Sequence, residues 1–171
     1  MTWKAPHVER MSGSLVAGER DMITGYLAWY RDTLLHKCAG LTGEQLAERT
    51  VEPSALTLLG LIRHMAKVER VWFRRRFAGE DLDEMYDPAK GKDADFEDLD
   101  PARAEEDYGR LVEERRLADA IVADASLDDT FTHAGEEYSL RMVHLHMIGE
   151  YARHIGHADL LRERLDGVTG G

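Results

Sequence analysis

Apolar residues recur at steps of three and four through four long stretches of this chain, and almost nowhere do they alternate. That is the period of helices with one buried stripe, not of half-buried strands. The first stretch runs from Glu19 to Cys38, with Ile23, Tyr26, Leu27, Tyr30 and Leu34 on one face, and Gly40 ends it. Thr42 and Gln45 stand at capping-box spacing and predict a short helix over Thr42 to Arg49. Pro53 and Ser54 then introduce a second long helix reaching Phe77, whose inward face reads Leu58, Leu61, Met65, Val68 and Trp72.

From Ala78 to Asp100 the period is lost and acidic residues accumulate, which predicts a crossover or a lid far longer than an ordinary helix connection. Asp100 followed by Pro101 starts a third helix, with Asp as N-cap and Pro in the first turn. It runs to about Ala125 with a thin apolar set, Tyr108, Leu111, Val112, Ala118, Ile121 and Val122, and is expected to be the least buried of the four. Ser126 to Tyr138 contains Gly135 and room for a short extended pair. Ser139 caps a last helix that ends near Asp166, before Gly167, and the terminal Gly170-Gly171 pair is expected to fray. The pattern thus predicts an all-α chain with a long loop between its second and third long helices.

Composition narrows the function classes. At 171 residues, 43% hydrophobic and 32% charged, the chain fits one globular domain over 1–171 that needs no staple. No apolar run approaches the roughly 18 residues of a membrane span, and MTWKAPHVERMSG does not look like a secretory signal, so the expected location is cytoplasmic with no membrane partner. One cysteine, Cys38, allows no internal disulfide and is expected as a packed thiol. A net charge of -11 without a basic stripe argues against nucleic acid as a partner.

Three residues break the apolar stripes with groups that can bind a metal. In the last helix Leu140, Val143, Met147, Glu150, His154, Ala158, Leu161 and Leu165 share a face, and His64 borders the stripe of the second. A carboxylate at Glu150's position needs a cation, an arginine partner, a proton or a water-filled pocket. Residues four apart on a helix lie one above the other, so Glu150 and His154 can share an ion, with His64 as the third ligand. Three such ligands with a vacant position describe a catalytic rather than a structural zinc site. His157 is expected beside the ligands as a supporting donor or at the rim, and His146, one turn before Glu150, as a partly exposed histidine that could also support them.

His144 falls off the stripe, and Arg153 points about a quarter-turn away, toward a surface role. Trp29, Trp72 and Tyr151 read as core aromatics, any of which could wall a substrate pocket. Asp93 to Asp100 lacks the glycine and glutamate of a calcium loop and reads as solvated. Arg74, Arg75 and Arg76 complement the dipole at a helix C-terminus.

The segments WYRDTLLHKCAGLTGEQL at Trp29 to Leu46, PSALTLLGLIRHMAKVERVWF at Pro53 to Phe73 and SLRMVHLHMIGEYARHIGHADLLRERLDG at Ser139 to Gly167 resemble the DinB/YfiT-like superfamily and its actinobacterial mini-circle protein group. The resemblance implies a four-helix bundle holding a divalent metal, zinc first and nickel second, through one histidine of the second helix and two ligands of the last. The usual last-helix pattern is His-x-x-x-His, whereas this chain has Glu150-Tyr-Ala-Arg-His154, which looks like the ligand set of mycothiol-dependent maleylpyruvate isomerases. It further implies a low-molecular-weight thiol such as mycothiol, an electrophilic substrate, a transferase or isomerase reaction and a homodimer. A metal-dependent hydrolase and a non-catalytic stress or small-molecule-binding protein are the rival readings.

Overall fold

The computed structural model describes residues 2–170, so Gly171 of the pair expected to fray lies outside the described residues. Among these residues the helices are α1 at Glu19–Cys38, α2 at Gly43–Leu46, α3 at Leu58–Glu69, α4 at Ala94–Glu97, α5 at Ala104–Val122 and α6 at Leu140–Asp166. Strands β1, Thr130–His133, and β2, Glu136–Ser139, form one antiparallel hairpin. The all-α expectation is amended by this hairpin, and the chain is mostly helical. No helix is long and apolar enough to cross a membrane.

Local chemistry accounts for the boundaries. The Ser139 hydroxyl accepts from Met142 N at the start of α6, and Gly167, at φ 78°, closes that helix in the left-handed conformation. Thr57 caps α3 by accepting from Gly60 N, so the helix starts later than Pro53 and Ser54 suggest; those residues form a turn in which Ser54 N donates to Val51 O. Ala134 and Gly135 both have positive φ, 52° and 83°, which suits the two-residue turn of the hairpin. α5 follows a 3₁₀ turn at Pro101–Arg103 and ends at Val122. α3 continues beyond Glu69 as π-helical turns over Arg70–Phe77.

Contacts between the long helices set their directions. Glu19 meets Arg141 and Lys37 meets Asp159, so α1 and α6 run the same way. Arg63 meets Asp107 and Arg70 meets Glu114, so α3 and α5 also run the same way. Glu69 meets Tyr151 and Phe73 meets His144, which makes α3 antiparallel to α6. Two parallel helices need a connection as long as a helix, and the segment from 78 to 100 supplies it by returning along α3 until Phe96 lies against Gly60. It is therefore a crossover. Its landing is tight, since a Cβ on Gly43 would meet Pro101 O at 2.1 Å.

Leu34, Leu59, Leu61, Ile62, Met65, Leu111, Leu140, Val143 and Met147 are fully buried between the helices. Each contributes roughly 1.5–3 kcal/mol by leaving water, so apolar packing holds the fold. The expected faces need correction on two helices. Tyr26 is exposed and Arg31 buried on α1, because Arg31 has a carboxylate partner in the interior. Val112 is exposed, while α5 buries Asp107 and Glu114 against arginines of the second long helix. Cys38 is buried, and burial pushes its thiol up to about 12, consistent with an inert packed side chain.

Candidate metal centre

Where α3 and α6 cross, His64 from α3 meets Glu150 and His154 from α6. One donor atom from each lies within 4.8 Å of the others. Nε2 of His64 is 3.8 Å and Nε2 of His154 3.6 Å from Oε2 of Glu150, and the two imidazole rings stand 4.7 Å apart. The side chains are 19%, 9% and 14% exposed for His64, His154 and Glu150, a site at the edge of the core and open on one side. Among the described residues Glu150 accepts no hydrogen bond; its nearest nitrogens stand at 3.5–4.0 Å.

The far nitrogens of both histidines are engaged. Nδ1 of His64 is 2.8 Å from Oδ2 of Asp95. A carboxylate only accepts, so that nitrogen carries the proton and the Nε2 lone pair faces Glu150. Burial works against the charge of Asp95, but hydrogen bonds from His64 and Lys67 outweigh it and hold its pKa below the ordinary carboxylate value. Asp95 is buried, which corrects the reading of Asp93 to Asp100 as a solvated loop. Arg63 fastens this segment to α3, donating to the carbonyls of Asp95 and Ala94 at 3.0 and 3.1 Å, and Phe96 stacks on the His64 ring with centroids 4.6 Å apart.

On the other side, Nδ1 of His154 is 3.3 Å from Nδ1 of His157. For His154 to present its Nε2 lone pair, Nδ1 must donate to His157, which fixes both tautomers. Burial, followed by the neighbouring His64, lowers the His154 pKa to about 4, so the ring is neutral near pH 7. His146 is half-buried, its Nε2 4.0 Å from Oε1 of Glu150 and its ring 4.3 Å from Trp72; burial lowers its pKa too.

The remaining candidates separate. His144 does not reach the centre, but it is buried rather than displaced from the core, with Nδ1 donating to Leu140 O at 3.0 Å. Arg153 is 66% exposed and its guanidinium reaches back to 3.5 Å from Oε1 of Glu150. Tyr151 is fully buried and donates to Oε1 of Glu69 at 2.8 Å, whereas Trp72 is half-buried beside His146 and Trp29 lies beneath Arg10. Arg74 and Arg75 serve particular carboxylates, Glu80 and Glu114 for the first and Glu84 for the second, rather than a diffuse helix dipole. Asp95 and Phe96 are the residues sequence reasoning missed. No period marks them, and the only signal was an aspartate in an acidic stretch.

Two imidazole nitrogens and one carboxylate oxygen, converging with their lone pairs inward, form a donor set suited to zinc and other first-row divalent ions. A family model described as Mycothiol-S-transferase matches residues 22–167. No curated protein and no solved structure matches the chain.

Proposed function

This chain belongs to the mycothiol-S-transferase family, and we propose that it is a four-helix-bundle enzyme that joins a small-molecule thiol, of the mycothiol type, to an electrophile at a divalent metal held by His64, Glu150 and His154. The observation that carries the reading is the unfinished carboxylate of Glu150, facing two histidines whose other ring nitrogens are already occupied. The donor set fits the ion. It is neutral plus anionic, it lies in one place, and the hydrogen bonds behind it orient it as metal-ligating histidines require. Zinc is the first choice and nickel the second. The arrangement of α1, α3, α5 and α6 in two parallel pairs supports the bundle.

When bound, a divalent ion supplies Lewis acidity that lets a thiol lose its proton near neutral pH. The protein's own residues do the rest. Asp95 and His157 hold the two imidazoles in the ligating tautomer. Phe96 covers the His64 ring and limits water on that side, and Trp72 with His146 forms an aromatic wall for the electrophile. His146, neutral and half-exposed beside Glu150, is placed to take a proton at Nε2 and return it to solvent.

The test is conjugation of mycothiol to monochlorobimane by protein of known metal content. The expected result is turnover above the uncatalysed rate that disappears in His64→Ala, with metal lost by elemental analysis and helical circular dichroism retained. Metal-loaded protein that conjugates none of several thiols would sink the reading.

A further inference from the structure

The two oxygens of Glu150 face different surroundings. Oε2 looks toward His64 and His154, and Oε1 toward His146 and Arg153. From Oε1 a short path of side chains leads away from the centre. His146 lies against Trp72, whose ring centroid is 4.1 Å from the guanidinium carbon of Arg76.

Four arginines occupy the π-helical end of the second long helix. Arg70 reaches Glu114, Arg74 reaches Glu80 and Glu114, and Arg75 reaches Glu84. Arg76 makes no hydrogen bond or ion pair among the described residues, although it is half-buried and the chain carries 33 acidic side chains. A guanidinium lying over an aromatic face keeps the N–H donors at its edge available, and that edge matches a planar carboxylate. Arg153, largely exposed and held only loosely by Glu150, adds a second cation on the same side. In a chain of net charge -11, Arg76 and Arg153 are the two cations on this side left with little or no carboxylate pairing, and they are what an anion would meet there.

We propose that Arg76, lying over Trp72, is a subsite for a carboxylate on the electrophilic substrate, whose flat or apolar body rests against His146 and the free edge of Trp72. That it belongs to a substrate rests on the thiol-transfer reading above. That it prefers an anion does not.

The probes are 4-methylbenzoate and 4-methylbenzamide, alike in shape and different in charge, titrated while the indole N–H resonance of Trp72 is followed by NMR. The expected result is about tenfold tighter binding of the benzoate, with the preference lost in Arg76→Gln and partly kept in Arg76→Lys. Because the net charge of the protein repels anions, such a preference has to come from a local site. The titration is run on protein as purified and again after EDTA treatment. A preference that survives Arg76→Gln, or that EDTA abolishes, places the anion elsewhere and overturns the proposal. So does equal binding of the two probes, or no shift with either. Failure of thiol conjugation with the benzoate preference intact overturns the enzymatic reading alone.

Discussion

Two glutamates enter the space between α3 and α6 and are treated in opposite ways. Glu69 is 0% exposed and complete: Arg31 donates to its two oxygens at 2.7 and 2.6 Å, and Tyr151 adds a third bond at 2.8 Å. Burial works against the charge of Arg31, but Glu69 outweighs it and raises the pKa. Glu150, at the next position along α6 from Tyr151, accepts no hydrogen bond among the described residues and meets imidazoles at 3.6 and 3.8 Å. The first carboxylate is balanced from within the chain and serves structure. The second accepts no hydrogen bond and has only the exposed Arg153, 3.5 Å from Oε1, as a cation partner, and this difference marks it as a place for something brought from outside.

The largest expected effect tests the closed side of this contrast. Arg31→Met leaves Glu69 buried and uncompensated, which should cost roughly 3–5 kcal/mol in urea unfolding. A loss below about 1 kcal/mol would mean that Arg31 and Glu69 do not form a closed unit.

Acid should act on the open side. His154 has a pKa of about 4 in the folded, metal-free protein against an ordinary value of 6.5. Between those values the unfolded chain takes up a proton that the folded one refuses. The contribution is therefore complete above pH 6.5 and is lost as the pH falls toward 4, by as much as about 3 kcal/mol. His144 and His146 are lowered in the same direction by burial, so His154→Gln should flatten the slope between pH 7 and 4.5 without removing it. Unfolding curves with the same slope in both proteins would refute this assignment.

Asp95→Asn sharpens the contrast further. It keeps the shape but weakens the bond that sets the His64 tautomer, and metal affinity should fall about 10- to 100-fold with the unfolding midpoint nearly unchanged. An equal loss of affinity in Lys67→Met, which leaves the His64 bond in place but frees the other oxygen of Asp95, would assign the effect to the placement of Asp95 instead. The smallest stability change belongs to Glu150→Gln, under about 1 kcal/mol, because Glu150 accepts no hydrogen bond and its ion pair with the exposed Arg153 contributes little. The same substitution should remove metal from the purified protein. If it destabilised as much as Arg31→Met, the two glutamates would not differ in kind.

These two sites were not equally legible in the sequence. His64, Glu150 and His154 stand out because each interrupts an apolar stripe, and a stripe is a local property that periodicity reveals. Glu69 and Arg31 escaped notice because a charged residue on a buried face is read as surface unless its partner, 38 positions away, is known. Asp95 escaped for a related reason, since its bond to His64 depends on how a long aperiodic crossover returns along α3. The C-terminal end of α1, both ends of α6 and the hairpin could be read because their caps and turn residues act within a few positions. The start of α3 was misplaced where two candidate caps competed, and Thr57 prevailed through its bond from Gly60 N.

The π-helical end of the second long helix has a consequence of phase. There Ala78 N bonds to Phe73 O, five residues back, so the stretch carries more residues per unit length than an α-helix would. A wider turn means a smaller rotation per residue than the roughly 100° of an α-helix, so the side chains of Arg70–Phe77 leave the axis in directions that an α-helix of the same sequence would not give them. Arg74 meets Glu114 and Arg75 meets Glu84 from that winding. The way the segment is wound, and not only its residues, therefore decides which carboxylates its arginines meet.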